Sequence, residues 1–209
     1  TDSHREAGNT WGEYGSRMRL GYNLAMAGEY GEAVVHYEAC VGHYEEIHSL
    51  YGLSWAVGGL ALAYHRLGDF VAAERRYREA LDVKLRLGDR AGAAWALNSI
   101  GMVFDLQGRY TEALAAEHEA MRLYGELGDR AGVGAVRFSM GSVRFYLGDY
   151  NEALAQYEEA RAAALETGDD DLLQLVMSGI GSVYTAAKRP DLAGPVYRRF
   201  LDAARGSGD

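Results

Sequence analysis

The side chains able to do chemistry are few and poorly spaced for it. The six histidines are His4, His36, His43, His48, His65 and His118. A helical metal site needs two imidazoles four residues apart, as in HExxH, and no pair here has that spacing. His36 and His43 lie two helical turns apart, too far to share one ion. Cys40 is the one cysteine, so neither an intramolecular disulfide nor a cysteine metal cluster can form. Nothing marks a pair among the carboxylates as a buried acid and base, and there is no Walker loop. The glycines of AGVGAVRFSMG, residues 131–141, open no strand-to-helix phosphate turn. The expectation is a chain that is not an enzyme and holds neither metal nor cofactor.

The remaining chemistry is recognition. Arg19 and Arg66 are suited to holding a carboxylate. Asn98 can bridge a ligand backbone with its amide. Trp55, Trp95, Phe138 and Tyr146 offer apolar contact area. The net charge of -9 argues against nucleic acid, whose phosphates need a basic surface. No apolar run approaches the roughly 20 residues that cross a bilayer, so no membrane partner is expected. The start, TDSHREAGNT, has no signal-peptide character and no initiator methionine. The chain therefore reads as a piece or processed form of a longer protein. Sparse cysteine suits a reducing, cytoplasmic setting. Cys40 stands where other copies of a repeat hold Ala80, Ala120 and Ala160, so it reads as a small buried residue.

That repeat must position everything else. Gly28, Gly68, Gly108 and Gly148 recur every 40 residues, with Lys188 in the fifth place. Two residues on stand Tyr30, Phe70, Tyr110 and Tyr150, then Pro190. Five on stand Ala33, Ala73, Ala113, Ala153 and Ala193. Nine on stand Tyr37, Tyr77, Tyr157 and Tyr197, but Glu117 in the third copy. Seven before stand Gly21, Ala61, Gly101, Gly141 and Gly181. A second series, Gly88, Gly128 and Gly168, is followed each time by aspartate.

Two such turns per period leave segments of about 17 residues, each about 25 Å long as a helix. Glycine ends a helix without backbone strain and aspartate caps the next. Apolar residues recur at three- and four-residue spacing, and no period-two alternation persists. The small residues let two helices approach closely, and the aromatic nine after the turn fills the groove beside the next helix. The spacing predicts helix pairs near 10–27 and 30–47, 50–67 and 70–87, 90–107 and 110–127, 130–147 and 150–167, and 170–187 and 191–205.

The pattern resembles the tetratricopeptide repeat family over about residues 14–204. ALNSIGMVFDLQGRYTEAL, residues 96–114, reads closest to its 40-residue subtype, found in Pins-type adaptors, kinesin light chains and large bacterial regulators. The resemblance implies one all-α, right-handed superhelical solenoid of about five helix pairs. It also implies that the first helix of each pair lines a concave groove. Helical spacing then turns these residues inward: Arg19, Tyr22 and Met26; Trp55, Leu62, His65 and Arg66; Trp95, Asn98, Met102 and Asp105; Phe138, Ser142, Phe145 and Tyr146. Acids concentrate on the second helices, so the inside is mildly positive.

Glu117 replaces a tyrosine, and Arg144 replaces Leu24, Tyr64, Phe104 and Tyr184 of the other copies. A lone buried charge is costly, so Glu117 is expected to pair with Arg144 or with Arg137. The last helix, with Val196, Tyr197, Phe200 and Leu201, carries no obvious polar cap, which allows self-association through the end helices. The expected function is binding of a protein or peptide, acidic or aromatic in character, by a regulatory or signalling scaffold. The alternatives are a sensor for a small molecule and a self-assembly module.

Overall fold

The computed structural model describes the backbone of residues 2–188 and the side chains of residues 12–188. Nine helices and no strand occur among the described residues: α1 (Asp2–Met26), α2 (Tyr30–Glu46), α3 (Leu50–Leu67), α4 (Phe70–Arg86), α5 (Arg90–Leu106), α6 (Tyr110–Leu127), α7 (Arg130–Tyr146), α8 (Tyr150–Thr167) and α9 (Asp170–Ala186). The sequence-derived boundaries agree within a few residues, except that α1 begins at Asp2 rather than near residue 10. No proline precedes residue 190, so nothing in 2–10 forbids the extra turns. The expected last helix, 191–205, and its apolar residues lie outside the described residues.

The turns follow from the residues that hold them. Gly68 closes α3 in the left-handed region with φ 80°, and its N–H donates to the His65 carbonyl. The second series caps as expected. Asp89 Oδ1 accepts from Gly92 N at 2.8 Å, Asp129 Oδ1 from Gly132 N at 2.9 Å and Asp169 Oδ1 from Leu172 N at 2.9 Å. Asp149 makes no such cap and instead pairs with Arg144. His48 stands where the other copies have glycine and takes the left-handed conformation at φ 53°.

The chain divides into two compact units, Thr1–Gln107 and Gly108–Asp209. In the first, α1 packs on α2, α2 on α3, α3 on α4 and α4 on α5, and α1 also touches α3. In the second, α6 packs on α7, α7 on α8 and α8 on α9, with α7 touching α9. Within each unit, then, each helix covers the apolar stripe of its chain neighbour, and first helices meet at α1 with α3 and at α7 with α9.

In the first and fourth pairs the tyrosine nine after the turn is wedged between two first helices. Tyr37 lies between α1 and α3: a Cβ at Gly21 would fall 3.2 Å from its Cε1, and one at Gly59 would fall 2.6 Å away. Tyr157 is held the same way between Gly141 and Gly179, where an added Cβ would come within 2.6 Å and 2.8 Å of the ring. Around Tyr37 the first unit buries Ala33, Cys40, Val57 and Leu60. Around Tyr157 the second buries Ala160, Val176, Ile180 and Val183. Cys40 is a buried core residue as expected; burial pushes its thiol up to about 11.

Candidate ligand groove

Among the described residues, exposed phenylalanine, tyrosine and tryptophan side chains occur only on first helices, namely α1, α3 and α7. They are Tyr22 (58% exposed), Tyr51 (71%), Trp55 (63%) and Tyr146 (63%). The aromatics of α2, α4, α6 and α8 are buried or half-buried. A ring left in water on one helix type alone is not a packing requirement.

In the first unit, Arg19, Tyr22 and Met26 are exposed on α1, Trp55, Leu62 and Arg66 on α3, and Met102 on α5. Arg19 and Arg66 make no ion pair among the described residues. Trp95 is half-buried, its ring edge-on to Tyr77 with centroids 5.6 Å apart. Asn98 is half-buried and its Oδ1 has no hydrogen-bond partner. Asp105 is likewise half-buried with an unpartnered Oδ1, and burial raises its carboxyl pKa. His65 packs against Phe70 and Tyr77, with Nδ1 3.4 Å from the Tyr77 hydroxyl. Burial, and secondarily the Arg66 charge, lower its pKa.

In the second unit the residues singled out divide between packing and exposure. Phe138 lies against Tyr157 and Phe145 against Tyr150, both on the edge of the unit's core. The Ser142 hydroxyl donates to the Phe138 carbonyl at 3.2 Å and lies 3.2 Å from the Tyr157 hydroxyl. Tyr146 stays exposed, stacked parallel on Tyr110 at 6.4 Å. Helical spacing does not separate exposed residues from those that lean back onto the next helix. Arg137 reaches Glu159 at 2.9 Å and Gln156 Oε1 at 2.8 Å; Arg144 reaches Asp149 at 3.2 Å. Glu117 is fully buried on α6.

The first unit also holds a half-open cavity of about 590 Å³. Several expected groove residues line it together: Arg19, Tyr22, Trp55, Leu62 and Trp95. Spacing did not nominate Lys84, which reaches the same cavity from α4. The signal was present in the 40-residue register, where Lys84 takes the place of Tyr44 and Tyr124. Among the described residues no group of three or more His, Cys, Asp or Glu could hold a metal ion. No described helix is long and apolar enough to cross a membrane.

A family model described as tetratricopeptide repeat matches residues 15–86, 53–126 and 127–206. No curated protein matches the chain in sequence. Among solved structures, BtubC from P. vanneervenii is similar over 100% of this chain and 94% of its own, at 20% identity and a TM-score of 0.75. A putative kinesin light chain with nearly identical TPR-like repeats, from Podosopora anserina, is similar over 90% of this chain and 92% of its own (14% identity, TM-score 0.70). The Rap conjugation gene regulator of plasmid pLS20, in complex with the Phr* peptide, is similar over 94% of this chain at 16% identity and a TM-score of 0.80. The match spans 55% of that regulator's length. At these identities the likenesses establish the fold: an all-α repeat solenoid.

Proposed function

The chain belongs to the tetratricopeptide repeat family, and from that premise we propose that its first helices bind an extended protein or peptide segment. The observation that carries this reading is that, among the described residues, exposed tyrosine and tryptophan side chains occur only on those helices. Apolar side chains of the ligand lie against Trp55 and Trp95, with Tyr22, Met26, Leu62 and Met102 beside them. The Asn98 amide, whose Oδ1 is otherwise unpartnered, bonds the ligand backbone. Arg19 and Arg66, free of ion pairs among the described residues, favour an acidic segment. The Rap regulator's complex with a peptide supports this class of ligand. The setting that fits is a cytoplasmic regulatory protein of which this chain is the binding part.

The test is selection of peptides from a random displayed library on the immobilised chain, followed by measured affinities. Trp55→Ala and the pair Arg19→Glu, Arg66→Glu are each expected to weaken selected peptides by about ten-fold or more, the scale of a binding hot spot. Val71→Asp, on the exposed face of α4, is expected to change nothing. Failure to select any peptide, or loss with Val71→Asp and not with Trp55→Ala, overturns the proposal.

A further inference from the structure

Lys84 breaks the internal pattern of the repeats in a chemically specific way. At the equivalent places of the first and third pairs Tyr44 and Tyr124 lie against a glycine of the following helix, whereas the fourth pair has Ala164 and then Leu172. A Cβ at Gly52 would fall 2.4 Å from the Tyr44 ring, and one at Gly132 would fall 2.3 Å from the Tyr124 ring. In the second pair the glycine is kept, as Gly92, but the ring is gone. The Asp89 carboxylate and the Lys84 ammonium fill that place together, with Nζ 2.7 Å from where a Gly92 Cβ would be. An aromatic filler has been exchanged for a flexible cation, and the wall so formed faces the 590 Å³ cavity.

The cation is held but not exhausted. Lys84 is only 14% exposed. Its Nζ donates to Ser54 Oγ at 3.3 Å and to Asp89 Oδ2 at 3.3 Å, and lies 5.8 Å from the Trp95 ring. Asp89 is divided between this ion pair and its cap to Gly92 N. An ammonium has three donors, so one is left for the cavity. Arg19 adds a second positive group, and no Asp or Glu is among the lining residues. The wall also includes the apolar side chains of Met18, Tyr22, Trp55, Leu62 and Trp95, and the polar groups of Tyr37 and Ser54. In a chain of net charge -9, an apolar cavity with two cations and no acid on its wall is selective. Its volume falls within the range of about 300–1,000 Å³ usual for small-molecule sites.

We infer that this cavity is a binding site for a small aromatic carboxylate, its flat body between Trp55 and Trp95 and its carboxylate on Lys84 with help from Arg19. The inference shares Arg19, Trp55 and Trp95 with the peptide reading but does not rest on it, because Lys84, which decides it, takes no part in that reading.

The test uses the whole chain and two probes of one shape, 2-naphthoate and its neutral amide, 2-naphthamide, titrated calorimetrically at pH 7. The carboxylate is expected to bind at least about ten-fold more tightly than the amide, as a charge-assisted hydrogen bond requires. Lys84→Met is expected to erase that preference while leaving amide binding in place. Lys84→Tyr restores the ring that Gly92 is shaped to receive, so it should fold at least as well as the parent and bind neither probe. Equal binding of the two probes, a preference that survives Lys84→Met, or no binding of naphthoate up to millimolar concentration each overturns the inference. Lys84-dependent binding of a peptide ending in a tryptophan carboxylate, with naphthoate silent, overturns it in favour of a chain terminus.

Discussion

Gly141→Ala and Gly125→Ala add the same methyl group to two helices of one unit and should act in opposite directions. Both positions gain helix propensity, about 0.5–1 kcal/mol for an interior glycine. At Gly125 a Cβ meets nothing within 4 Å, so that gain is the whole effect. At Gly141 the Cβ arrives 2.6 Å from Tyr157 Cε1 and 2.7 Å from Cδ1. The ring cannot retreat: an added Cβ at Gly179, on α9, would lie 2.8 Å from Tyr157 Cζ, and the hydroxyl is 3.2 Å from Ser142 Oγ. Overpacking of this kind costs about 1–3 kcal/mol. Subtracting one variant from the other removes most of the propensity gain and leaves the clash. The assay is urea unfolding followed by far-UV circular dichroism, comparing midpoints at constant slope. Gly125→Ala should raise the midpoint, and Gly141→Ala should fall below it by the equivalent of about 1–3 kcal/mol. In a Tyr157→Leu background the gap should shrink. Equal stabilisation by both variants would refute the claim that Tyr157 is wedged between small residues.

His48→Gly should stabilise by about 0.5–1 kcal/mol, read as a higher melting temperature, because a left-handed backbone costs a histidine more than a glycine; an unchanged or lower value removes the argument. His65, whose folded pKa is depressed by burial, resists protonation, so its contribution is intact above the ordinary value near 6.5 and is lost as pH falls through the lowered folded value. The fall in stability between pH 7 and 5 should therefore be shallower in His65→Asn, and identical profiles would exclude the effect. The expected pairing of Glu117 with Arg144 or Arg137 is measured by double-mutant cycles: coupling above about 0.5 kcal/mol with either arginine supports it, and additivity with both removes it.

The turns and their caps were legible because glycine and aspartate recur where backbone geometry demands them, as at Gly68, Asp89 and Asp129. The keystone role of Tyr37 and Tyr157 was legible from the small residues spaced around them. The early start of α1 was not, since a helix extended by polar residues has no periodic stripe to announce it. Spacing turned Phe138 and Phe145 toward the expected groove but could not show that each leans onto a tyrosine of α8. Lys84 escaped for another reason. It belongs to a second helix, whose stripe points away from the groove, and only the length of its side chain carries the charge through to the cavity.

The claim that first helices form the binding surface is tested most directly by the indole N–H resonances of Trp55 and Trp95, assigned by Trp→Phe substitution, during titration with a library-selected peptide. The account predicts that both resonances move with the same saturation curve as binding measured by calorimetry. A peptide that saturates the chain while both resonances stay fixed would contradict it.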